Sequence, residues 1–245
     1  MLKPVRKQSL SDAVFMQLRD QIVSGELAPG EALPAERVLC EALGVNRGSV
    51  REALRRLQQS RLVSVRHGGT SKVLDYRASA GLDLLADLIV PADGRIDTRV
   101  VRGIIEMRSA LAPDIARRAA ERGTGAHWAA LDAIVSRMRG HADDLAALQD
   151  LAVEFWSTLV DAADNLAYRL AYNSLRATYD QCRALFTQVL ADEIGDLAGY
   201  AAIAAAARAG NAEQAARRAR TLIERGERGV KQVLAQLAAA SEVRS

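Results

Sequence analysis

Apolar residues recur at intervals of three and four positions along most of the chain, a pattern typical of helices with one buried face. The stripe is clearest at positions 50, 53, 54 and 57, which hold Val, Ala, Leu and Leu. Just before it, Gly44 suits a left-handed helix end and Asn46 stands where an N-cap belongs. A helix, a short glycine-containing turn and a second helix together predict a helix-turn-helix motif.

The period of the pattern changes to two directly after this second helix. Residues 62–66 alternate apolar and polar like a strand, residues 67–70 predict a turn, and residues 71–74 predict a return strand. A hairpin that directly follows a recognition helix forms a wing. The sequence therefore predicts a winged helix.

The basic residues are concentrated in the same stretch. Between Val45 and Lys72 there are seven Arg and Lys residues against a single acid, Glu52. Such a density of positive charge is sufficient to attract a phosphate backbone. The alternative is an ordinary solvated helix face, on which Glu52 pairs with Arg56 one turn later. Because the turn, the cap, the basic face and the wing follow one another in the right order, the sequence favours DNA binding.

The remainder of the chain predicts helices and no convincing strand. Ser9 or Ser11 can cap a first helix that runs to about Ser24, and the next two helices span residues 35–43 and 47–60. Residues 75–81 are polar and predict a linker between domains 1–74 and 82–245. The helices predicted beyond it span 82–90, 98–122, 126–139, 143–163, 166–189, 193–209 and 211–240. Pro113 is expected to kink or break the helix that contains it.

Composition agrees with two mainly helical domains. Of the 245 residues, 49% are hydrophobic and only 4% are aromatic, a balance that favours helix over sheet. Residues 1–77 hold 13 Lys and Arg against 8 Asp and Glu, whereas the rest of the chain is slightly acidic. The two cysteines, Cys40 and Cys182, are expected to be free thiols. The N-terminal segment lacks an apolar signal core, so a cytoplasmic location is expected.

Several motifs resemble the GntR family of bacterial transcription regulators. In the N-terminal domain they are Leu33-Pro34-Ala35-Glu36-Arg37, Gly44-Val45-Asn46-Arg47 and the VREALRRL helix at positions 50–57. One difference is Gly48, where the family usually has a threonine. The C-terminal half resembles the FadR subfamily, in pieces such as Ala119-Ala120-Glu121-Arg122 and Gly210-Asn211-Ala212-Glu213. This resemblance implies an all-α bundle of six or seven helices that binds a small effector and dimerises.

The resemblance also bears on metal binding. Most members of the subfamily hold a metal ion with one Asp and three His, and the corresponding positions here carry Ala152, Trp156, Tyr200 and Leu222. None of these is a good ligand for a transition metal, and the chain has only three histidines, at positions 67, 127 and 141. We expect an effector domain without a metal or another cofactor.

A pocket without a metal must be apolar or must use arginine to hold its ligand. The residues at the four metal positions would give it a hydrophobic floor, and the resemblance to the metal-free FadR implies a fatty-acyl or acyl-CoA effector. Arg102 and Arg108 are the candidates for binding an anionic head group. The alternative is that both arginines are solvated or pair with Glu106 or Asp114.

The recognition helix supplies most of the residues expected to contact DNA. Arg47 and Arg51 are the candidates for reading guanine in the major groove. The residues better suited to phosphates or to positioning are Arg37, Asn46 and Ser49. The wing turn at His67, Gly68 and Gly69 is expected to enter the minor groove, since glycine lets the backbone approach closely. A homodimer would present two such helices to a pseudo-palindromic operator.

Other functions remain open on the sequence alone. No Ser-His-Asp, phosphate-loop, CxxC or HExxH pattern appears, which disfavours an enzyme. A regulator of the same family that senses a small carboxylate would have the same N-terminal domain, and so would a constitutive DNA binder without an effector. A cavity of ligand size in the helical half would distinguish a ligand-responsive regulator from a constitutive binder.

Overall fold

A computed structural model describes residues 9–64, 71–89 and 96–242 of the protein. The chain divides into two compact units, with the boundary between Asp97 and Thr98. Each unit has its own secondary structure and its own buried core, and each is described separately below.

The first unit has the order of elements that the sequence predicts. Its helices and strands are α1 (Leu10–Ser24), α2 (Glu36–Leu43), α3 (Arg47–Gln59), β1 (Val63–Ser64), β2 (Lys72–Val73), α4 (Tyr76–Ser79), a 3₁₀ turn (Leu82–Leu84) and α5 (Leu85–Ile89). The two strands are antiparallel, with Val63 opposite Val73 and Ser64 opposite Lys72. The predicted hairpin is therefore present, although its strands are shorter than expected. The predicted turn at His67, Gly68 and Gly69 lies outside the described residues.

Local capping determines where the first helices begin and end. Ser9, one of the two predicted caps, closes a capping box with Asp12 at the start of α1. Gly44 ends α2 in the left-handed conformation at φ 63°. The Asn46 side chain accepts a hydrogen bond of 2.9 Å from the Ser49 amide and so caps α3. These caps confirm the predicted helix-turn-helix.

The core of the first unit joins α1 to the inner face of α3. Buried α1 residues face the apolar stripe of α3, and Leu62 and Val73 close the core from the hairpin. Arg56 also points inward, because its guanidinium lies 4.1 Å from the centre of the Phe15 ring and pairs with Asp12. Glu52 instead pairs with Arg55 at 2.9 Å. The Glu52–Arg56 pair of the alternative interpretation is therefore wrong.

The segment predicted as a linker, residues 75–81, is folded onto the first unit. Asp75 caps the short helix α4, and Tyr76 and Ala80 pack against the core. Leu84, beyond that segment, is part of the core itself. The polar composition of residues 75–81 concealed these apolar anchors, and the structural boundary falls at Asp97 instead.

The second unit is a helical bundle between Thr98 and Glu242. Its helices are α6 (Thr98–Arg122), α7 (Gly125–Gly140), α8 (Leu145–Ala162), α9 (Leu166–Gln181), α10 (Arg183–Val189), α11 (Ala191–Ile194), α12 (Leu197–Arg208) and α13 (Ala212–Glu242). The long α6 packs along α13 and against α8, while α12 lies between α7 and α13. This architecture confirms the predicted mainly α fold.

The predicted break at Pro113 is absent, and two stretches that were each predicted as one helix are divided. Pro113 does not break α6, which runs through it as one helix. Proline removes one backbone hydrogen bond, but Pro113 is buried within the packed length of α6, where packing compensates for that loss. Conversely, the single helix predicted over 166–189 ends at Gln181 and restarts at Arg183. The helix predicted over 193–209 is also divided, because Asp196 caps a new helix by accepting a 3.0 Å hydrogen bond from the Gly199 amide.

Among the residues that the structure describes, no helix combines the length and the hydrophobicity needed to span a lipid bilayer.

Candidate nucleic-acid interface and effector cavity

The outer face of α3 carries the two arginines predicted to read bases. The opposite face of this helix is buried, with Val50, Ala53 and Leu57 fully covered. Arg47 and Arg51 are therefore directed away from the core, and their side chains are 70% and 61% exposed. An α-helix with one buried face and two exposed guanidinium groups on the other has the form needed to enter a major groove.

Glu36, at the start of α2, holds both arginines together. Its carboxylate accepts hydrogen bonds from the Arg47 Nε at 2.9 Å and from the Arg51 Nε at 3.0 Å. These bonds leave the terminal guanidinium nitrogens of both arginines available for a base edge. They also lower the pKa of the Glu36 carboxyl below its ordinary value, through the hydrogen bond from Arg47 first and that from Arg51 second. Glu36 is a residue of this candidate interface that the sequence analysis missed, although it belongs to the quoted Leu33–Arg37 motif.

The lowered pKa of Glu36 predicts a pH dependence. An acid with a depressed folded-state pKa contributes stability above its unfolded value of about 4.5, and loses it as the pH falls through the folded value. We expect a carbon-13 NMR titration of the Glu36 side chain to give a midpoint below 4.5. Replacing both Arg47 and Arg51 with alanine should return the midpoint to the ordinary range. A midpoint that is the same in both proteins would show that the two hydrogen bonds do not form in solution.

The other predicted DNA-contacting residues have different roles in the structure. Arg37 is exposed and pairs with Glu41 one turn later at 2.7 Å. The Asn46 side chain is occupied by capping, and Ser49 supplies the amide that it binds. Asn46 and Ser49 therefore set the start of α3, and their expected role toward DNA stays a prediction.

A cavity of about 110 Å³ lies in the second unit, among α6, α8 and α9 and the helices α10 to α13. Its wall is mainly aromatic and aliphatic. The aromatic members are Trp156, Tyr168, Tyr172, Tyr179, Phe186 and Tyr200. In size it is comparable to the cavities of about 150 Å³ that bind a benzene ring in other proteins. This is a site suited to a small apolar group.

The cavity also contains a buried ion pair between two helices. Arg108 of α6 donates a hydrogen bond to Glu193 of α11, whose side chain is only 1% exposed. Burial raises the pKa of the Glu193 carboxyl, and the Arg108 charge opposes that rise. Burial alone would lower the pKa of Arg108, but the charge of Glu193 raises it above the ordinary value. Glu193 thus compensates the charge of the arginine predicted to hold an anionic head group.

Three polar atoms of described residues in the cavity wall are buried without a hydrogen-bond partner. They are Trp156 Nε1, the Tyr200 hydroxyl and Glu193 Oε2. The Trp156 indole lies close enough to the Tyr200 hydroxyl to influence its pKa, although the two groups are not in hydrogen-bond geometry. Burial raises the pKa of Tyr200 well above the ordinary value. Because unsatisfied buried polar groups are rare and costly, such a cluster points to a missing partner.

Helix α9 closes one side of the cavity through hydrogen bonds from tyrosine hydroxyls. Tyr168 donates to the Asp114 carboxylate of α6 at 2.6 Å, and Tyr172 donates to the Val153 carbonyl of α8 at 2.6 Å. Thr178 is the only fully buried residue of α9, all of which is described. Arg169 of the same helix adds a 2.6 Å hydrogen bond to the Ser157 carbonyl and an ion pair with Asp161, both on α8.

The cavity brings together some of the predicted effector residues and excludes others. Arg108, Trp156 and Tyr200 line it. Leu222 is buried beside Gly199 without lining the cavity. Arg102 lies on an exposed groove between α6 and α13, separate from Arg108. The alternative pairing of Arg108 with Glu106 or Asp114 is wrong, because its partner is Glu193.

The residues at the four subfamily metal positions do not converge on a set of ligands. Ala152, Trp156 and Tyr200 contribute a methyl group, an indole and a phenol to the cavity wall. Within residues 9–64, 71–89 and 96–242 there is no cluster of three His, Cys, Asp or Glu residues that could hold a metal ion. The donor set present suits an organic ligand better than a transition metal.

Comparison with known proteins agrees with this arrangement. The family described as "Bacterial regulatory proteins, gntR family" matches residues 10–73, and the family described as "FCD domain" matches residues 103–225. The chain is 41% identical to the HTH-type transcriptional regulator Mce2R of Mycobacterium tuberculosis over 189 residues, which cover 77% of this chain and 78% of the relative. It belongs to the GntR family.

Two further similarities of this GntR regulator extend over both of its domains. The fatty acid metabolism regulator protein of Edwardsiella ictaluri is 30% identical, over 71% of both chains. The solved structure of E. coli McbR/YncC matches with a TM-score of 0.50 at 19% identity, covering 91% of this chain and 98% of that one. The second similarity shows the fold alone. The family match establishes a helix-turn-helix transcription regulator with an FCD effector domain, and not an enzyme.

Proposed function

We propose that this GntR regulator binds a pseudo-palindromic operator as a homodimer and releases it when an effector occupies the cavity. The observation that carries the proposal is the combination of an exposed arginine pair on α3 with a ligand-sized cavity in the helical unit. Release on effector binding would make the protein a repressor. The cavity argues against a constitutive DNA binder, since such a protein has no need of one.

The DNA-binding half of the proposal assigns distinct roles along the recognition helix. Arg47 and Arg51 read guanine O6 and N7, and Glu36 aligns them as a pair. Asn46 and Ser49 set the start of the helix against the phosphate backbone, and Arg37 adds a phosphate contact from α2. The wing residues His67, Gly68 and Gly69 are proposed to contact the minor groove.

The effector half of the proposal follows from the cavity wall. The wall is predominantly apolar, so the effector is a mostly apolar metabolite of the fatty-acyl class. Arg176 of α9 also lines the cavity and remains 54% exposed. Its pair with Asp180, at 3.7 Å, is solvent-exposed and so contributes little. An anionic group of the effector would therefore be held by Arg176 at the solvent side rather than by Arg102. A chain longer than the cavity would require α9 to move.

The proposed switch needs an effector that binds two states of the dimer unequally. Helix α9 is the element suited to report occupancy, because it covers the cavity with one fully buried residue, Thr178, and is tied to α6 and α8 through polar contacts of Tyr168, Tyr172 and Arg169. An effector that displaces α9 must break these contacts, so the empty and occupied states differ in how α9 is held. The operator-binding arrangement is then the one favoured by the empty cavity.

The proposal is tested by gel shift of the full-length protein on duplexes selected from a random pool. We expect salt-sensitive binding, and octanoyl-CoA or palmitoyl-CoA should weaken it by at least about fivefold. Native mass spectrometry of the purified protein would identify any metabolite that co-purifies. Absence of duplex binding would contradict the DNA-binding half. No calorimetric heat with either acyl-CoA, together with tight binding of a divalent metal, would contradict the effector half.

A further inference from the structure

Two unpartnered polar atoms of the cavity wall, the Tyr200 hydroxyl and the Trp156 indole nitrogen, lie close to each other. Tyr200 is completely buried. Glu193, equally buried, presents one oxygen to Arg108, while its other oxygen sits against Gly226 of α13. The part of the wall formed by Tyr200 and Trp156, called the inner end here, therefore offers a donor in Trp156 and a hydroxyl that serves as donor or acceptor.

A purely apolar ligand would not satisfy this inner end. A methyl group placed there would leave the Trp156 and Tyr200 polar atoms unpartnered, each at a cost comparable to a lost hydrogen bond. A carboxylate would also be poorly matched. The Arg108 charge is already compensated by Glu193, and the Glu193 carboxylate would repel a second anion. An uncharged hydroxyl or carbonyl group can hydrogen-bond to the inner end and is not repelled by Glu193.

We infer that the inner end of the cavity recognises an uncharged hydroxyl or carbonyl group on the buried part of the effector, through Trp156 and Tyr200. Any negative charge on the effector lies at the Arg176 side. This inference rests on the proposed function and adds to it the chemistry of the buried end, where the fatty-acyl class alone would place a methyl group. It makes Trp156 and Tyr200 specificity-determining residues of the effector site.

The inference is tested with p-cresol and p-xylene, which have the same shape and differ by one hydroxyl in place of a methyl group. Calorimetry on the full-length protein without DNA should show that p-cresol binds about tenfold more tightly than p-xylene. In Tyr200→Phe, which keeps the ring and removes only the unpartnered hydroxyl, the preference should fall to about threefold or less. Trp156→Phe, which removes the indole donor, should have the same effect.

The matched control is Tyr172→Phe. Tyr172 lines the same cavity, but its hydroxyl already donates to the Val153 carbonyl. Its removal should therefore change the affinity for p-cresol and p-xylene alike and leave the preference between them unchanged. Glu193→Gln tests the charge argument. With the Arg108 charge uncompensated, binding of p-toluate should tighten about tenfold, whereas in the native protein p-toluate should bind more weakly than p-cresol.

Several outcomes would overturn the inference. They are equal binding of p-xylene and p-cresol, a preference that survives both Tyr200→Phe and Trp156→Phe, p-toluate as the tightest ligand of the native protein, or no binding of any of the three compounds. None of these results concerns DNA, so they leave the operator-binding proposal intact. Loss of duplex binding in the gel shift would overturn that proposal without affecting the ligand preference.

Discussion

Replacing Arg47 with alanine is expected to weaken binding to the selected operator by about 1–3 kcal/mol and to relax the base preference at one position in each half-site. The side chain is exposed at the start of α3 and keeps its terminal nitrogens available while Glu36 holds its Nε. Loss of a base-reading contact should lower affinity for the operator more than affinity for unrelated duplexes. Competition gel shifts with single-position variants of the operator measure both effects.

The matched control for Arg47 is Arg55 on the same helix. Its side chain is 65% exposed, similar to Arg47, but it pairs with Glu52 one turn away. Arg55→Ala should weaken binding to all duplexes alike, because a lost phosphate contact carries no sequence information. If Arg47→Ala retains its full base selectivity, or if both variants lose the same selectivity, then Arg47 does not read a base.

Replacing Gly229 with alanine is expected to destabilise the second unit by about 1–3 kcal/mol, despite the higher helix propensity of alanine. A Cβ at this position of α13 would overlap the Val189 carbonyl oxygen of α10. The obstacle is backbone, so no side-chain rotation relieves it. Thermal unfolding followed by circular dichroism should show a clearly lower midpoint for the variant.

Gly103→Ala is the matched control within the same unit. Gly103 lies on the exposed side of α6, where an added Cβ would meet no atom of the described residues within 4 Å. There the helix propensity of alanine acts without opposition, so the variant should be more stable by up to about 1 kcal/mol. Equal effects of the two substitutions would show that α10 does not pack closely against α13 in solution.

The winged helix could be predicted from the sequence because its determinants are local. The cap at Asn46, the turn at Gly44 and the apolar stripe of α3 each act within a few residues. The role of Glu36 was harder to predict, since it depends on two helices meeting at a particular distance. The same holds for Arg56, whose partners Asp12 and Phe15 are far away in the sequence.

The lining of the candidate effector cavity could be predicted only in part, for the same physical reason. Trp156, Tyr200 and Arg108 were chosen from the family resemblance, and all three line the cavity. Glu193 was missed because an isolated acid in an alanine-rich helical region has no local signal of burial. Its position depends on the break between α9 and α10 at Cys182, where no glycine or proline marks the change of direction.

Intramolecular pairing on the recognition helix has a consequence for the ionic-strength dependence of DNA binding. Arg47 and Arg51 share Glu36, Arg55 pairs with Glu52, and Arg56 is turned toward Asp12. Each cation that displaces a condensed counterion from DNA contributes about 0.9 to the slope of log K against log salt. An arginine that is already paired with a carboxylate gives up that carboxylate when it binds a DNA phosphate, so it contributes less than this amount to the slope. The slope of log K against log salt should therefore be shallower than the number of arginines on α3 suggests. At salt concentrations where a basic helix without these ion pairs would bind any duplex, this regulator should still discriminate among sequences.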